Sequence, residues 1–310
     1  MFFSKPAFGV DISDYSIEIV SLAGSIEKPK LLAMGRKVLE PGIFIDGKIL
    51  DKERLKKTLR DLIGHLKFGK LGTKKIIASI PESKSYIRIV NLPAGIPKKE
   101  TQEFVLSQAE ENFPYSLGDL YLDFLICGNE ALLAASPKNI IEDYLEIFRS
   151  CGLEPAVFEI ESLSLGRSLL SSPERKNILI ADIGDRTANF SVFKKGMLGM
   201  SFTLPVAGSK FTQALAEKLS ISAASAESLK REIGLNSRYQ DGKIFLILQK
   251  EIQPIVEEIK KIADYFRQKT NESVEGIILA GGSCALPDLP RYLNEKLALP
   301  VEICDPWDRI

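Results

Sequence analysis

A short phrase occurs twice in this chain, once near its start and once past its middle. Residues 8–20 read FGVDISDYSIEIV, and residues 179–193 read LIADIGDRTANFSVF. In both, an apolar run is followed by Asp-Ile, a small residue, a second Asp, one variable position and a hydroxyl residue. A strand and turn that repeat with the same chemistry indicate an internal duplication, so we expect a fold with two related units.

Length and charge narrow the class of protein. A chain of 310 residues exceeds what one core usually serves, so about two domains are expected. Its 45% hydrophobic and 26% charged residues are typical of a globular protein with sizeable cores. The 41 basic residues balance the 41 acidic ones, so the total charge gives no footprint for nucleic acid or an acidic membrane surface.

Cysteine, histidine and apolar runs exclude further classes. The chain has one histidine, and its four cysteines are scattered, so a zinc site is not expected and the cysteines are interpreted as small buried hydrophobic residues. The first ten residues lack the pattern of a secretion signal, and no window reaches the roughly 20 apolar residues of a membrane helix. We therefore expect a cytoplasmic protein. The residues concerned are His65, Cys127, Cys151, Cys284 and Cys304.

The first half contains four strand-like runs, AFGVDI, SIEIVSLA, KLLAMGRKVL and KKIIASIP. Between the last two, residues 51–66 place leucine and isoleucine at helical spacing. His65 lies on this predicted helix and is expected to be structural. Residues 138–152 also have helical spacing, with Gly152 placed to end the helix.

The pattern changes between residues 81 and 133. SYIRIVNLP predicts a strand, PKKETQEFVLSQAEENF a helix, and DLYLDFLIC with EALLAAS a hairpin. This segment is predicted to be a small αβ subdomain inserted into the first unit. Its aromatic residues are either the core of the subdomain or anchors for a bound peptide, and they are Phe113, Tyr115, Tyr121 and Phe124.

The second half opens with NILIADIGDRTANFSVFKKGMLGMSFTLPV, which predicts three strands joined by tight turns. Helices are predicted at SKFTQALAEKL, SAESLKREIGL and LQKEIQPIVEEIKKIADYFRQK, followed by the strand VEGIILA, a loop with a helix, and VEICDPW as the last strand. The predicted lobes are residues 1–80 with 134–175, and residues 176–310 with a mainly helical part at about 205–272. The insertion is residues 81–133.

The repeated turn has the chemistry of a phosphate site. Each copy ends a strand in a carboxylate and exposes backbone N–H groups and a hydroxyl that suit phosphate oxygens. Gly184 suits a turn with positive φ that a ligand can approach, and the carboxylate could hold hydrated Mg²⁺. Gly, Ser and Asp are also common in hairpins without a ligand. A third element, IILAGGSCALPDL, runs from a strand through two glycines to a helix, where a nucleotide can lie against the backbone.

Several stretches in a fixed order resemble a known family. They are PGIFIDGKILDKERL, RIVNLP, AEENFPYSLGDLYLDF, EIESLSLGRSL, DIGDRTANFSVF and AGGSCALPDL. This series resembles the actin-like ATPase superfamily, which also contains hexokinases, and within it the PilM family of type IV pilus assembly proteins, which are relatives of FtsA. The resemblance extends over nearly the whole chain.

The resemblance implies an α/β fold: a duplicated RNase H-like core in two lobes, with a small αβ subdomain inserted in the first. It also implies ATP with Mg²⁺ in the cleft between the lobes, the metal being held by Asp11 and Asp182. The residues that it assigns to the nucleotide are Asp11, Ser13, Asp14, Tyr15 and Ser16 in the first phosphate turn, Asp182, Gly184, Asp185 and Thr187 in the second, Gly208 at a neighbouring turn, Glu227 and Lys230 beside the base and ribose, and Gly281, Gly282 and Ser283 in the adenosine loop.

The first phosphate turn departs from the family pattern at two positions. Ser13 stands where the family has glycine, and Glu18 stands where it has a lysine aimed at the phosphates. A charge about 6 Å from a phosphate is worth roughly 2–3 kcal/mol at an effective dielectric of 20. If Glu18 faces the phosphates, the exchange of attraction for repulsion removes two or more decades of affinity. We therefore expect weakened ATP binding and weak or absent hydrolysis.

The resemblance implies a cytoplasmic ATP-binding scaffold of the pilus assembly platform, recruited to the inner face of the cytoplasmic membrane. Its implied partners are the pilus inner-membrane assembly proteins, through the short N-terminal cytoplasmic tail of PilN. The tail would lie in a groove between the first lobe and its insertion, where apolar anchors and main-chain hydrogen bonds give specificity. Neither nucleic acid nor direct membrane insertion is expected.

Three other functions are open at this point. A small-molecule kinase of the same superfamily needs a carboxylate base, for which Glu161 is a candidate, although it also fits as a helix-start residue. A pseudo-ATPase would bind partners without nucleotide. A membrane tether like FtsA, which ends in a basic amphipathic helix, is disfavoured because this sequence stops at DPWDRI.

Overall fold

The computed structural model describes residues 7–25, 28–170, 176–303, 305 and 307. These residues divide into two units, the first ending at Leu165 and also containing Trp307, and the second running from Gly166 to Asp305. The lobe and subdomain bounds given above stay predictions, and each unit is described by itself below.

The first unit contains β1 (Phe8–Ile12), β2 (Ser16–Gly24), β3 (Pro29–Val38), β6 (Phe68–Gly69), β7 (Lys75–Ile80) and β11 (Glu154–Ile160), together with a small hairpin of β4 (Phe44–Ile45) and β5 (Lys48–Ile49). All of these strands except β4 and β5 form one sheet, in the order β11-β7-β1-β2-β3-β6. β1, β2 and β3 make an antiparallel meander, and β7 and β11 add in parallel on the other side of β1. Alternate residues of β1 (Phe8, Val10 and Ile12) are buried, as the two-residue period of a strand requires.

Two helices pack on this sheet, α1 (Lys52–Gly64) and α3 (Lys138–Ser150). α1 begins where Asp51 Oδ1 accepts a hydrogen bond from the Arg54 N–H at 3.0 Å, which satisfies one of the unpaired amides of the first turn. Its Leu55, Leu59 and Leu62 are buried. His65 follows the helix with an 81% exposed side chain, and its Nδ1 lies 3.0 Å from the Asp61 carbonyl oxygen.

A separate three-stranded sheet belongs to the segment predicted as an insertion. It contains β8 (Tyr86–Asn91), β10 (Glu130–Pro137) and β9 (Leu120–Cys127) in that order, with α2 (Lys98–Asn112). Its core includes Val90, Val105 and Leu133. β9 and β10 form the predicted hairpin through a turn at Gly128, which has a φ of 63°.

The aromatic residues of this segment differ in burial. Phe113 is buried and Phe124 packs partly buried against the core. Tyr115 and Tyr121 are 43% and 46% exposed, and the Lys138 ammonium lies 5.8 Å from the centre of the Tyr121 ring. The two phenylalanines therefore build the core, and the two tyrosines present surface.

The second unit contains β12 (Asn177–Ile183), β13 (Ala188–Lys194), β14 (Met197–Leu204), β15 (Gly276–Ala280) and β16 (Val301–Ile303). They form one sheet in the order β14-β13-β12-β15-β16. Its other elements are α5 (Gly208–Leu219), α6 (Ala223–Ile233), the 28-residue α7 (Lys243–Thr270) and α8 (Leu289–Leu297). α4 (Glu161–Leu169) contains the boundary between the units.

The two sheets have the same topology. β3-β2-β1-β7-β11 and β14-β13-β12-β15-β16 each consist of an antiparallel meander whose first strand is followed by two parallel neighbours. The repeated phrase lies in the first hairpin of each. This agrees with the duplication expected from the sequence.

Three cysteines are less buried than the sequence suggested. Cys127, Cys151 and Cys284 are free thiols at intermediate exposure, because each lies at the margin of a core or on a sheet edge rather than inside it. Cys304 lies outside the described residues. Among the described helices, none is long and apolar enough to span a bilayer.

Candidate functional site

The two copies of the repeated phrase occupy equivalent positions. Asp11 is the next-to-last residue of β1, and Asp182 is the next-to-last residue of β12. Across the hairpin, Asp11 pairs with Glu18, and Asp182 pairs with Asn189. Each unit therefore carries one carboxylate at the end of its first strand, beside the hairpin turn.

The first turn is closed by its own side chains. Ser13 Oγ accepts hydrogen bonds from the N–H groups of Tyr15 at 3.3 Å and Ser16 at 3.1 Å, and donates to the Ser16 carbonyl at 3.1 Å. Asp14 Oδ1 accepts from the Asp46 N–H at 2.7 Å. The Ser13 hydroxyl thus stabilises the turn, and a phosphate oxygen would have to compete for it.

A polar row crosses the first sheet beside this turn. Glu18 pairs in register with Asp11 on one side and Arg36 on the other. Glu18 Oε1 accepts from the Arg36 Nε at 2.8 Å and from the Ser16 hydroxyl at 2.5 Å. The Arg36 guanidinium also donates to Ser16 Oγ at 3.2 Å. Sequence reasoning missed Arg36, although its alternation along β3 places it opposite Glu18.

Burial raises the pKa of both carboxyl groups in this row. It raises the pKa of Asp11, against the lowering effect of the Ser79 hydroxyl, which donates to Asp11 Oδ1. Burial also raises the pKa of Glu18, and the Asp11 charge adds to this, while Ser16 and Arg36 oppose it. The row thus contains the carboxylates of Asp11 and Glu18 and the guanidinium of Arg36, whereas the family pattern has a carboxylate and a lysine.

The equivalent row in the second unit has fewer charged side chains. Asp182 pairs with Asn189, which pairs with Thr203, and the Thr203 hydroxyl donates to Asn189 Oδ1 at 2.8 Å. Neutral groups thus replace Glu18 and Arg36. The two rows have equivalent strand pairing and the same formal net charge, but the first contains an ion pair where the second contains neutral side chains.

The expectation of a positive φ at Gly184 is wrong, since Gly184 is not among the residues with positive φ. The glycine is required by close packing instead. Its N–H donates to the Thr187 carbonyl at 3.0 Å, and a Cβ would lie 3.2 Å from that same oxygen. Its own carbonyl accepts from the Ser283 hydroxyl at 2.8 Å and the Gly208 N–H at 3.2 Å.

The second turn also holds the start of α5. The Asp185 carbonyl accepts from both the backbone N–H and the hydroxyl of Ser209 at 2.8 Å. Burial raises the pKa of the Asp185 carboxyl, which the charges of Lys230 and Arg186 oppose. The Thr187 hydroxyl makes no hydrogen bond with any residue that the structure describes.

The glycine loop after β15 lies against the second carboxylate. Gly281 has a φ of 80°, and a Cβ on it would lie 2.3 Å from Asp182 Oδ1 and 2.5 Å from the Ile183 carbonyl oxygen. A Cβ on Gly282 would meet nothing within 4 Å. Gly281 thus lets the loop pass directly over Asp182, while Gly282 faces open space.

Lys230 is a buried ammonium whose three donors are all used. It donates to Glu227 Oε2 at 2.7 Å, the Thr212 hydroxyl at 2.9 Å and the Gly208 carbonyl at 3.0 Å. Its side chain is 10% exposed. The lysine therefore connects α6 to the start of α5 and holds Gly208 beside the second turn. Its role toward a ligand would be to position Gly208 and the start of α5.

The second unit therefore brings eight of its ten predicted site residues into one cluster, without the side chain of Thr187 and without Gly282. The members are Asp182, Gly184, Asp185, Gly208, Glu227, Lys230, Gly281 and Ser283. In the first unit, the residues brought together are Asp11, Ser13, Asp14, Tyr15 and Ser16.

We expect Glu227→Gln to destabilise the chain at neutral pH by about 1–2 kcal/mol. This is the free energy of a charge-assisted hydrogen bond to a buried lysine, reduced because solvent screens the partly exposed carboxylate. The hydrogen bonds of Lys230, Thr212 and Arg231 overcome burial and lower the Glu227 pKa to about 2. A lowered folded pKa gives stability that is present above the unfolded value of 4.5 and is lost as pH falls from there toward 2. Urea unfolding at pH 7.5 and pH 4 measures this, and the difference between the two proteins should narrow at the lower pH.

Glu232→Gln is the matched control for this prediction, because Glu232 is exposed on the same helix and pairs with no described residue. It should leave the unfolding free energy within experimental error at both pH values. An equal effect of both substitutions would show that the Lys230 contacts contribute nothing specific.

Glu161, the candidate base, has a structural task at the start of α4. Its Oε2 accepts from the Glu82 N–H at 3.3 Å, and Glu82 Oε1 in turn accepts from the Ser162 hydroxyl at 3.2 Å. The hydroxyl of buried Tyr144 has no hydrogen-bond partner among the described residues. Burial raises its pKa, and the Glu161 and Asp11 charges add to this. Glu161 thus lies near Tyr144, as Asp11 does, but its carboxylate already accepts a hydrogen bond from the Glu82 N–H.

The metal expected from the sequence fits only together with a ligand. Among the described residues, no group of three or more His, Cys, Asp or Glu side chains could hold a metal ion. Mg²⁺ commonly uses one or two carboxylates, with waters and phosphate oxygens filling its shell. Asp11 and Asp182 each offer one carboxylate of the kind that this mode uses, and the magnesium ion expected from the sequence stays a prediction.

Comparison with known proteins decides the family. The sequence model described as type IV pilus assembly protein PilM matches residues 9–310. The chain belongs to the PilM family. Its match covers both units and the segment between β7 and α3, so the family relationship applies to all of the architecture described above.

Solved structures show that this family has the actin-like fold. A structure titled as a PilM-PilN type IV pilus biogenesis complex superposes with a TM-score of 0.82 at 22% identity, over 98% of this chain and 90% of that chain. MreB5 of Spiroplasma citri bound to AMPPNP gives a TM-score of 0.61 at 15% identity, over 97% and 92% of the two chains. The predicted fold class, a duplicated actin-like α/β fold, is confirmed.

Curated relatives in sequence match only part of the chain. Cell division protein FtsA of Bacillus subtilis is 24% identical over 198 residues, which are 57% of this chain and 45% of that protein. FtsA of Buchnera aphidicola is 25% identical over 44% of this chain and 32% of its own length. The matched part of the PilM-family chain therefore spans less than half of these relatives.

Proposed function

We propose that this chain is an ATP-binding scaffold of type IV pilus assembly that binds the N-terminal cytoplasmic tail of a PilN protein. The family match over residues 9–310 carries this proposal. The structural likeness to a chain from a PilM-PilN complex supports it. A place on the cytoplasmic side of the membrane, beside the other inner-membrane assembly proteins, follows from the same proposal.

Nucleotide binding is supported by the duplicated turns. Each unit presents a carboxylate, Asp11 or Asp182, near the end of its first strand. MreB5, a neighbour of the same fold, is titled as bound to AMPPNP. We propose that Asp11 with residues 13–16, and Asp182 with the turn, glycine loop and Lys230 cluster of the second unit, contact the nucleotide. Mg²⁺ would be held by these two carboxylates, waters and phosphate oxygens, and would neutralise phosphate charge.

Hydrolysis is not part of the proposal. Glu18 and Asp11 place two negative charges where the triphosphate would lie, and Glu161 already accepts a backbone hydrogen bond. The described residues thus offer groups that would bind and orient phosphates, while Glu161, the candidate base, is already hydrogen-bonded. ATP would then act as a ligand that stabilises one state of the scaffold.

We expect Glu18→Gln to tighten Mg-ATP binding about tenfold, because one negative charge leaves the phosphate turn and Arg36 loses its ionic partner. Calorimetric titration of both proteins measures the change. Glu103→Gln, an exposed change of equal charge on α2, should leave the dissociation constant unaltered. Unchanged or weaker binding in Glu18→Gln would show that Glu18 does not face the phosphates.

The partner proposal concerns the exposed face of the three-stranded sheet. Tyr121 and Leu125 of β9 are 46% and 61% exposed, and β9 is an edge strand of this sheet. An extended tail could add main-chain hydrogen bonds to this edge and place apolar anchors against these side chains.

A synthetic peptide with the N-terminal tail of the PilN protein from the same genome tests the proposal. We expect micromolar binding by calorimetry, and a loss of at least tenfold in Tyr121→Ala/Leu125→Ala. Leu246→Ala, which truncates a 55% exposed leucine in the second unit, should bind as the parent does. No heat at high peptide concentration would contradict the partner, whereas peptide binding without any Mg-ATP effect would favour a pseudo-ATPase.

A further inference from the structure

The balanced total charge conceals two stretches with no acidic residue. Residues 62–81 contain four lysines and no Asp or Glu. Residues 28–39 contain three lysines and one arginine, again with no Asp or Glu. A local excess of positive charge is therefore possible in a chain whose net charge is zero.

Strand pairing brings these two stretches to one end of the first sheet. β7 begins at Lys75 and runs parallel to β1. β3 begins at Pro29 and runs in the same direction as β1, because each is antiparallel to β2. The starts of β3 and β7 therefore lie at the same end, opposite the hairpin turn of Asp11. The connection from β6 to β7 crosses this end, and its Leu71 packs against the core below. The lysines placed there are Lys28, Lys30, Lys70, Lys74 and Lys75, and we call this set the basic end.

The ammonium groups of the basic end make no ion pair with the residues that the structure describes. Within the described part of the chain, none of the five lies within 4.0 Å of a carboxylate, whereas Lys37, Lys52 and Lys56 of the same unit are all paired. All except half-buried Lys75 are exposed. Glu154, the first residue of β11, lies beside Lys75 in the strand register, so the described residues place five lysines and one glutamate at this end. The excess positive charge is available to an external anion.

Apolar side chains border the basic end. Phe68 of β6 is 51% exposed, and Leu32 of β3, on the neighbouring strand, is 46% exposed. Lysines beside a half-exposed aromatic ring and a half-exposed leucine are the combination that suits the boundary between headgroups and acyl chains. Nucleic acid would use the lysines and the ring, but it would gain nothing from exposed Leu32.

We propose that the basic end, with Phe68 and Leu32, docks the chain peripherally on an anionic phospholipid bilayer. Each lysine held near such a surface raises the partition coefficient about fivefold, and the attraction falls off within a Debye length. Phe68 and Leu32 add apolar contact at the interface. The contact needs neither nucleotide nor PilN peptide, so its failure would leave the proposed function untouched.

Cosedimentation of the 310-residue chain with vesicles tests the proposal. Binding to phosphatidylcholine vesicles that contain phosphatidylglycerol is expected, and it should weaken as salt is raised; vesicles of phosphatidylcholine alone should bind little. Lys30→Gln/Lys70→Gln/Lys74→Gln should lower the partition coefficient about a hundredfold, since three fivefold factors are removed. Phe68→Ser should lower it several-fold at all salt concentrations.

The matched control removes the same charge elsewhere. Lys218→Gln/Lys243→Gln/Lys250→Gln changes three exposed lysines of the second unit and should bind vesicles as the parent does. Equal loss in both triple variants would overturn the proposal, as would absence of binding to anionic vesicles. Binding to duplex DNA that the first triple variant abolishes, with vesicle binding unaffected, would assign the basic end to nucleic acid and also overturn it.

Discussion

Gly281→Ala should destabilise the second unit by about 3 kcal/mol or more and abolish measurable Mg-ATP binding. The residue has a φ of 80° and a ψ of 168°, a region essentially restricted to glycine, where another residue costs about 1–3 kcal/mol. Its Cβ would also meet Asp182 Oδ1 at 2.3 Å and the Ile183 carbonyl oxygen at 2.5 Å. The second contact is with backbone, so overpacking adds roughly another 1–3 kcal/mol.

The neighbouring glycine provides the control in the same loop. A Cβ on Gly282 meets nothing within 4 Å, and its φ is not positive. Gly282→Ala should therefore change the unfolding free energy by less than about 1 kcal/mol. Urea denaturation, followed by calorimetric titration with Mg-ATP, compares the two. Similar stability of both variants would contradict the close approach of the loop to Asp182.

Nucleotide binding separates the steric effect from the site hypothesis. If Gly281→Ala is strongly destabilised yet keeps the parental affinity for Mg-ATP, then the displaced Asp182 carboxylate does not contact the nucleotide. If Gly282→Ala loses affinity without losing stability, the open space beside that glycine is where the ligand lies. The first result would refute the assignment of Asp182, and the second would support the assignment of the glycine loop.

The sequence was sufficient to predict the duplicated meander. Apolar alternation with a shared Asp-Ile phrase depends on local backbone chemistry, and this is why β1–β2 and β12–β13 could be recognised and aligned. The short strands β4, β5 and β6 went unrecognised, because two residues carry no periodicity. β11 (Glu154–Ile160) was also missed, since Pro155 and a bulge before Val157 interrupt its alternation.

Side-chain partners in the site were less predictable than its location. Glu18 was recognised as a departure from the family pattern. Its ion pair with Arg36, however, depends on the register in which β3 pairs with β2. Lys230 was expected beside a ribose, and the structure uses all three of its donors for internal acceptors. Such contacts follow from tertiary packing, which motif spacing does not specify.

Gly166→Ala should destabilise the chain by about 2 kcal/mol or more, although alanine is favoured over glycine in a helix by about 1 kcal/mol. A Cβ on Gly166 would lie 2.2 Å from Phe193 Cε1 and 2.3 Å from Cζ. The Phe193 ring is 3% exposed and part of a packed interior, so it has little room to move and the overpacking cost exceeds the helix preference. Urea denaturation measures the difference from the parent chain.

A double-mutant cycle distinguishes this clash from a general intolerance of α4. Phe193→Leu removes the ring atoms that the new Cβ would meet, so the loss in Gly166→Ala/Phe193→Leu should be smaller than the sum of the two single losses by at least about 1 kcal/mol. Gly64→Ala, at an open position that ends α1, should be neutral or slightly stabilising. Strict additivity in the cycle would mean that Gly166 is not in contact with Phe193, and that glycine is required in α4 for another reason.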